Sequence, residues 1–326
     1  MTKQQFKQSL KKLSQLRKAE IIVYITGDKK PEQRFGTLIA LDVLPLFYQH
    51  LSKIGKQRKI SLFLYSCGGH LNAPWPIVNL IREYCEEFEV IIPSKALSAA
   101  TLVSVGADKI LMTPLSQLSP VDPIGTFQVT EGKQESISIE DVTGFINFAK
   151  EKIGIAEQGA LAEVLKKLTD QIKPSILGSI NRTHSLIREL TKKLLKSHRN
   201  KIDEERTEKI VEKLTEKLFS HQYFINRREA KETVGFGEII QYASLEEEKL
   251  INGILEYYQD KLEINKEFNP MEILKDNVEK EYSLIRAVIY SLKQENNFVS
   301  KYKIVKMPSP KGQISINVIP FYNKWE

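Results

Sequence analysis

Residues 20–113 alternate short apolar runs with segments of helical period, and this alternation restricts the fold more than any other feature of the chain. Residues 20–26 (EIIVYIT) read as a buried strand stopped by Gly27-Asp28. Residues 37–51 place Leu38, Leu41, Leu44 and Leu51 on one helical side, with Pro45 as a kink point. Residues 59–65 (KISLFLY) form the second strand. Residues 72–88 read as helix through Ile77, Leu80, Ile81, Tyr84 and Phe88, and residues 90–93 as the third strand. A short helix over 99–106 and a fourth strand over 109–113 follow. Strands and helices in alternation predict a largely parallel sheet with right-handed crossovers. Ligands of such sheets sit outside the carboxyl ends of the strands.

Two sequence breaks fall at such ends. Ser66-Cys67-Gly68-Gly69 follows the second strand, and Ser98 follows the third among small residues. Paired glycines let backbone approach a ligand closely and aim amides at it, and they also make a plain strand-to-helix turn. A serine at a strand-to-helix turn stands clear of the backbone. The amide after it is an unpaired donor at a helix N-terminus, where the dipole favours negative charge. A nucleophile beside an oxyanion hole needs both. Serine is also a routine helix cap, so Ser98 alone leaves both roles open. Together, the glycine turn and Ser98 suggest a hole with one amide from Gly68 or Gly69 and one from Ala99.

The residues around these breaks carry a family resemblance. LFLYSCGGHLNAPWPIV followed by KALSAATLVSVGADKILMTPLSQLSPVDPIG resembles the Clp-protease/crotonase superfamily. Within it, the segment is most similar to the SDH family (serine dehydrogenase proteinase) of Clp-fold serine proteinases, related to the signal-peptide-peptidase-like branch. The likeness spans roughly residues 20–240 and includes HQYFINRREAKE from His221 onward. It implies an α/β fold of the Clp/crotonase type, with a mostly parallel sheet and a helical extension. It also implies a serine endopeptidase with its nucleophile at Ser98, an oxyanion hole from Gly68 or Gly69 and Ala99, a polypeptide substrate, a homo-oligomer and no cofactor.

The chain departs from the family pattern in places. Cys67 stands for the proline of a Pro-Gly-Gly turn, and Leu97-Ser98-Ala99-Ala100 for a Met-Ser-Gly-Gly-like turn. Ser119-Pro120-Val121-Asp122-Pro123 stands for Gly-Pro-Val-Asp-Pro. Where Clp proteases have a histidine on the following strand, this chain has Pro123 next to Asp122, so the general base is left open. Signal-peptide peptidases use a lysine farther on, which points to Lys150 or Lys152. Lys150 lies in FINFAKEKIG and would need desolvation to lower its pKa. Lys173 precedes Pro174 at a break between helices that can face a cleft. His221 stands before a helix starting near Asn226, with an imidazole suited to proton transfer. Asp122 reads as a turn residue or as an acceptor for a base. The alternative function is a catalytically inactive Clp-fold protein that binds peptides or serves as a scaffold. A crotonase-type acyl-thioester enzyme is a third class.

The rest of the chain adds boundaries. Residues 1–19 hold an amphipathic helix with Phe6, Leu10, Leu13 and Leu16 inward and lysines around them; it docks on the body or, alternatively, touches a membrane surface through residues 3–18. Residues 20–240 read as the proteinase domain and 241–326 as an extension, with helices over 244–262 and 271–293 and a hairpin around residues 308–312. Residues 126–139 read as an exposed loop or hairpin. A net charge of +7 without a basic patch interleaved with aromatics makes nucleic acid an unexpected partner. Two cysteines and scattered histidines supply no disulfide framework and no metal site. No apolar run approaches the ~18 residues that span a bilayer, and the N-terminus lacks the apolar core of a signal peptide, so a cytoplasmic location is expected. Without a G-x-x-x-x-G-K-[ST] motif, the activity is expected to be ATP-independent on its own.

Overall fold

Burial on both faces is what the apolar runs at the start of the chain require, and a mixed sheet of eight strands supplies it. The structure is a computed structural model. It describes residues 1–121, 124–130, 133–216, 223–308 and 314–326, with side chains outside 122–140, 217–222 and 308–314. The strands are β1 (Glu20–Thr26), β2 (Gln57–Tyr65), β3 (Cys85–Ile92), β4 (Lys95–Ala96), β5 (Lys109–Met112), β6 (Gln117–Leu118), β7 (Ile124–Thr130), β8 (Lys133–Ser138), β9 (Ile225–Asn226), β10 (Ile240–Tyr242), β11 (Glu279–Ser291), β12 (Gln294–Pro308) and β13 (Ile314–Trp325). The main sheet runs β10-β5-β3-β2-β1-β11-β12-β13. Its β10-to-β1 half is parallel, and β11, β12 and β13 continue it antiparallel. This mixed sheet with its helices is the α/β architecture expected from the sequence. The strands β4, β6 and β9 form a small second sheet, and β7 and β8 a hairpin.

The helices are α1 (Lys3–Arg17), α2 (Glu32–Phe35), α3 (Leu44–Ile54), α4 (Pro74–Arg82), α5 (Ala99–Val105), α6 (Ile139–Asn147), α7 (Gln158–Gln171), α8 (Pro174–Lys196), α9 (Glu204–Thr215), α10 (Arg227–Glu229), α11 (Leu245–Lys261) and α12 (Pro270–Leu274). Successive strand residues face opposite sides of the sheet. Ile22 and Tyr24 therefore join the core built with Phe47, Ile77 and Leu194 from α3, α4 and α8. Ile21, Val23 and Ile25 join the opposite core, with Phe6 and Leu10 of α1 and Ile251 and Tyr258 of α11. Phe6, Leu10 and Leu13 of α1 are thus buried on the body, whereas Leu16, expected inward, is exposed beyond the contact, so docking on the body takes most of the apolar face that membrane-surface contact would need. Among the described residues, no helix is long and apolar enough to cross a membrane.

Three elements differ from expectation for identifiable reasons. The helix expected over 37–51 starts at Leu44, because Pro45 suits a first helical turn rather than a kink, and Leu38 and Leu41 are exposed ahead of it. The helix expected over 72–88 ends at Arg82, and β3 starts at Cys85. Acidic residues at 86, 87 and 89 mask the strand, and Glu89 is buried despite its charge. It accepts from Arg17 Nε at 3.1 Å and from Arg17 Nη2, from Lys59 Nζ at 2.8 Å and from Ser61 Oγ at 2.7 Å. Arg17 also reaches Glu247 at 2.8 Å and Gln241 at 2.7 Å, so one guanidinium ties α1, β3, β10 and α11 together. The helix expected over 271–293 is instead the short α12 followed by β11. The register of β11 against β12 shifts between Ile285 and Ala287. That bulge at Arg286 moves the later side chains by one position, and the resulting spacing of Ile285, Val288, Ile289 and Leu292 imitates a helical stripe.

Burial pushes the Glu89 carboxyl up, and Arg17 followed by Lys59 more than offsets this, holding it below the ordinary carboxylate range. Its contribution to stability is therefore present above the unfolded carboxylate's pKa and is lost as pH falls through the lower folded value. Arg17→Met, which leaves Glu89 with Lys59 and Ser61 as its partners, should cost about 2–3 kcal/mol, read by urea unfolding at neutral pH. An unchanged unfolding midpoint would show that the pair adds nothing.

Candidate active site

Ser98 sits between β4 and α5 with φ 51° and ψ −117°. A non-glycine residue there carries strain on the order of 1–3 kcal/mol and persists only where its surroundings over-determine it. By position Ser98 is the N-cap of α5, yet its hydroxyl makes no capping bond. The bonds that hold the turn come from its backbone. The Ser98 N–H donates to Ser119 Oγ at 2.7 Å. The Ala100 N–H donates to Leu97 O at 2.9 Å and the Leu102 N–H to Ser98 O at 3.2 Å. Among the described residues, the Ala99 N–H has no intramolecular acceptor.

The glycine turn abuts this element. Gly68 has φ 110°, and a Cβ there would lie 2.8 Å from Leu97 O, 2.8 Å from the Ser98 Cβ and 3.3 Å from the Ala99 N. A Cβ on Gly69 would lie 2.2 Å from Ile39 O. Both positions exclude any side chain. Ile39 N–H donates to Gly68 O at 2.9 Å, and His70 N–H to Ile39 O at 2.8 Å. The Gly68 N–H is committed to Ser66 Oγ at 2.9 Å. The Gly69 N–H has no intramolecular acceptor among the described residues. Ser66 also receives the Thr26 hydroxyl at 2.7 Å. Its backbone bridges the end of β2 to β4 through Lys95 O at 3.1 Å and Leu97 N at 3.0 Å.

A charged group missed by sequence reasoning lies beneath the turn. Lys95 is ion-paired with Asp28, the Tyr65 hydroxyl donates to Asp28 at 3.0 Å, and the Cys67 thiol is 3.8 Å from the same carboxylate. Burial disfavours the Lys95 charge, but Asp28 outweighs it and holds the ammonium above the ordinary lysine range. Burial pushes the Cys67 thiol up. Neither group serves as a proton acceptor or a thiolate near neutral pH. Spacing alone could have flagged Lys95, three residues before Ser98.

The structure thus brings Gly68, Gly69, Ser98 and Ala99 together. Lys150 and Lys173 are exposed, and neither is hydrogen-bonded to Ser98 among the described contacts. His221 and Asp122 lie outside the described residues. The small sheet bears on this region, because β9 runs antiparallel to β6 with Leu118 opposite Ile225. This register carries the chain at Phe224 alongside Ser119. Two other histidines are engaged elsewhere. His50 bonds Ser291 Oγ at 2.8 Å, and burial holds its imidazole down at about 4. His198 bonds Val105 O at 2.7 Å. His70 is exposed beside Gly69.

Comparison with known proteins adds the following. The sequence model of a family described as ClpP-like SDH-type serine proteinase matches residues 6–283. An uncharacterized protein of Methanocaldococcus jannaschii is 28% identical over 182 residues, covering 54% of this chain and 52% of the relative. The chain therefore spans about half the length of that curated relative. Among solved structures, the ClpP protease catalytic domain from Plasmodium falciparum matches with TM-score 0.36 and 12% identity, covering 74% of this chain and 90% of that one. ClpP1 from Listeria monocytogenes matches with TM-score 0.35 and 13% identity, covering 71% and 96%.

The contacts at Gly68 generate a direct test. Gly68→Ala should push Leu97 and Ser98 apart from the turn and lower the reaction of Ser98 with a fluorophosphonate by about 100-fold, the scale of an ångström misplacement of a reacting group. Labelling at the wild-type rate would mean that the turn does not set the position of Ser98.

Proposed function

The chain belongs to the family of ClpP-like SDH-type serine proteinases, and from that membership we propose that it is a serine endopeptidase acting on polypeptide chains, with Ser98 as nucleophile. The observation that carries this reading is the convergence of a strained serine, its hydroxyl free of capping duty, with two amides lacking acceptors. The Ser98 Oγ attacks a peptide carbonyl while a base removes its proton. The carbonyl oxygen takes up negative charge facing the Gly69 and Ala99 N–H groups, which stabilise the tetrahedral intermediate. Collapse expels the amine, which takes the proton back from the base, and water then hydrolyses the acyl-enzyme by the same route. The Gly68 N–H is already bonded to Ser66, so the hole uses Gly69 from the glycine pair.

We assign the base to His221. The support is the β6–β9 register, which fastens Phe224, three residues after His221, beside the segment that touches Ser98. The exposure of Lys150 and Lys173 speaks against them, because a lysine base requires desolvation. Exposed apolar side chains, Phe145 on α6, Phe148 just after it and Leu186 on α8, support assembly into a homo-oligomer.

The test is intact-mass analysis after treatment with a fluorophosphonate. Wild type should gain one adduct that Ser98→Ala lacks. His221→Ala should slow labelling by about 100-fold or more, while Lys150→Ala and Lys173→Ala keep the wild-type rate. Absence of any adduct in folded protein would leave the peptide-binding scaffold as the function. Loss of labelling in a lysine variant alone would move the base.

A further inference from the structure

Helix α5 holds the Ser98 carbonyl through the Leu102 N–H at 3.2 Å, but the Ser98 N–H has no helical acceptor, so the helix does not fix the positive φ of the residue. A ring of hydrogen bonds from buried hydroxyls does so instead. The Ser98 N–H donates to Ser119 Oγ at 2.7 Å, and that hydroxyl directs its own proton to Pro120 O at 2.9 Å. Only a lone pair of Ser119 therefore faces Ser98. The Ser119 N–H in turn donates to Thr101 Oγ1 at 3.2 Å, and the Thr101 hydroxyl donates to Ala96 O at 2.9 Å. The ring closes through the chain from Ala96 to Ser98. It joins β4, α5 and the residue that follows β6. Ser119 is 2% exposed and Thr101 fully buried, so neither hydroxyl is available to a substrate.

We infer that Ser119 and Thr101 are positioning residues for the nucleophile, acting through the backbone of Ser98. The bond on the Ser98 N–H holds the Leu97–Ser98 peptide and the φ angle of Ser98, while the Leu102 N–H holds Ser98 O from within α5 at 3.2 Å. The brace thus orients the attacking oxygen, which acts in the bond-forming step rather than in binding, so it should govern the maximal rate and leave ground-state affinity alone. This inference rests on the reading of Ser98 as nucleophile.

The experiment measures fluorophosphonate labelling over a range of probe concentrations, which separates the probe's binding constant from the maximal rate of bond formation. It is run on full-length wild type, Ser119→Ala, Thr101→Val and Thr101→Ser, with thermal melts to establish folding. Loss of one such bond should lower the maximal rate about tenfold, with the binding constant unchanged. Thr101→Val keeps the shape and removes both bonds, so it should be slow. Thr101→Ser keeps the hydroxyl and should react at the wild-type rate even where its melting temperature falls. The Thr101 pair decides the matter if Ser119→Ala does not fold. Wild type labelled at Ser98 with Thr101→Val reacting equally fast overturns the inference alone. So does a weaker binding constant at an unchanged maximal rate. Wild type that gains no adduct overturns the nucleophile itself, and the brace with it.

Discussion

The approach of backbone to backbone at Gly68 and Gly69 is the contact on which the rest of the site depends. A Cβ at either glycine would fall within 3 Å of Ile39, Leu97 or Ser98. Three segments therefore meet with no side chain between them: the loop before α3, the end of β2, and the turn that carries Ser98. Such close meeting is possible only where every main-chain group but the useful ones finds a partner, since a buried orphan amide is costly. The pairing of Ile39 with Gly68 and His70, and of Ser66 with Lys95 and Leu97, meets that requirement. Among the described residues, the Gly69 N–H on one side and the Ala99 N–H on the other are left without acceptors, as is the Cys67 N–H between Ser66 and Gly68. The proposed oxyanion hole is in this sense a remainder of the packing, held in place by hydrogen bonds already made.

The sheet beneath supplies the rigidity that this arrangement needs. Its parallel strands are covered on both faces, as parallel sheets generally are. The polar exception is Glu89, buried in β3 and answered by Arg17, Lys59 and Ser61. Replacing such a cluster by apolar groups is often neutral for stability, so its presence is better understood as register than as strength. The Arg17 fork fixes where α1 lies against β3, β10 and α11, and it does so on the face opposite α5. On the other face, Ala100, Leu102 and Val103 of α5 join the core with Leu194, and the buried polar groups next to the Ser98 turn are hydroxyls that bond backbone, Thr101 and Ser119.

How much of this could be read from the residues alone follows from the kind of signal each feature leaves. The alternation over 20–113 stood out because strands buried on both sides are apolar throughout, and the glycine pair because few other residues tolerate such contact. The β3 strand was hidden in its first half by acidic residues whose partners are distant in sequence, Arg17 and Lys59 among them. The β11 strand was hidden by the bulge at Arg286, which turned a two-residue period into an apparent helical one. Ser119 and Thr101 left no signal, since buried hydroxyls that bond backbone look like any other serine and threonine in a sequence. The Asp28–Lys95 pair was invisible for a similar reason: it joins the loop after β1 to β4, across the sheet.

That pair also settles where the electrostatic help near Ser98 can come from. Lys95 is the cation closest in sequence to the serine, but its charge is matched by Asp28, and the Cys67 thiol beside them stays protonated. The floor of the turn is therefore close to neutral. In the proposed reaction, stabilisation of a developing oxyanion falls to oriented dipoles: the Gly69 amide, the Ala99 amide and the helix that begins there. Helix α5 is short, yet every residue from Ala99 to Val105 is buried. Dipoles in so dry a setting are screened far less than at a surface, and they are already oriented before any substrate arrives. If Ser98 is the nucleophile, as proposed, it gains more from a fixed backbone than from a nearby charge, and the hydroxyls that fix that backbone then matter more than the lysine beside it.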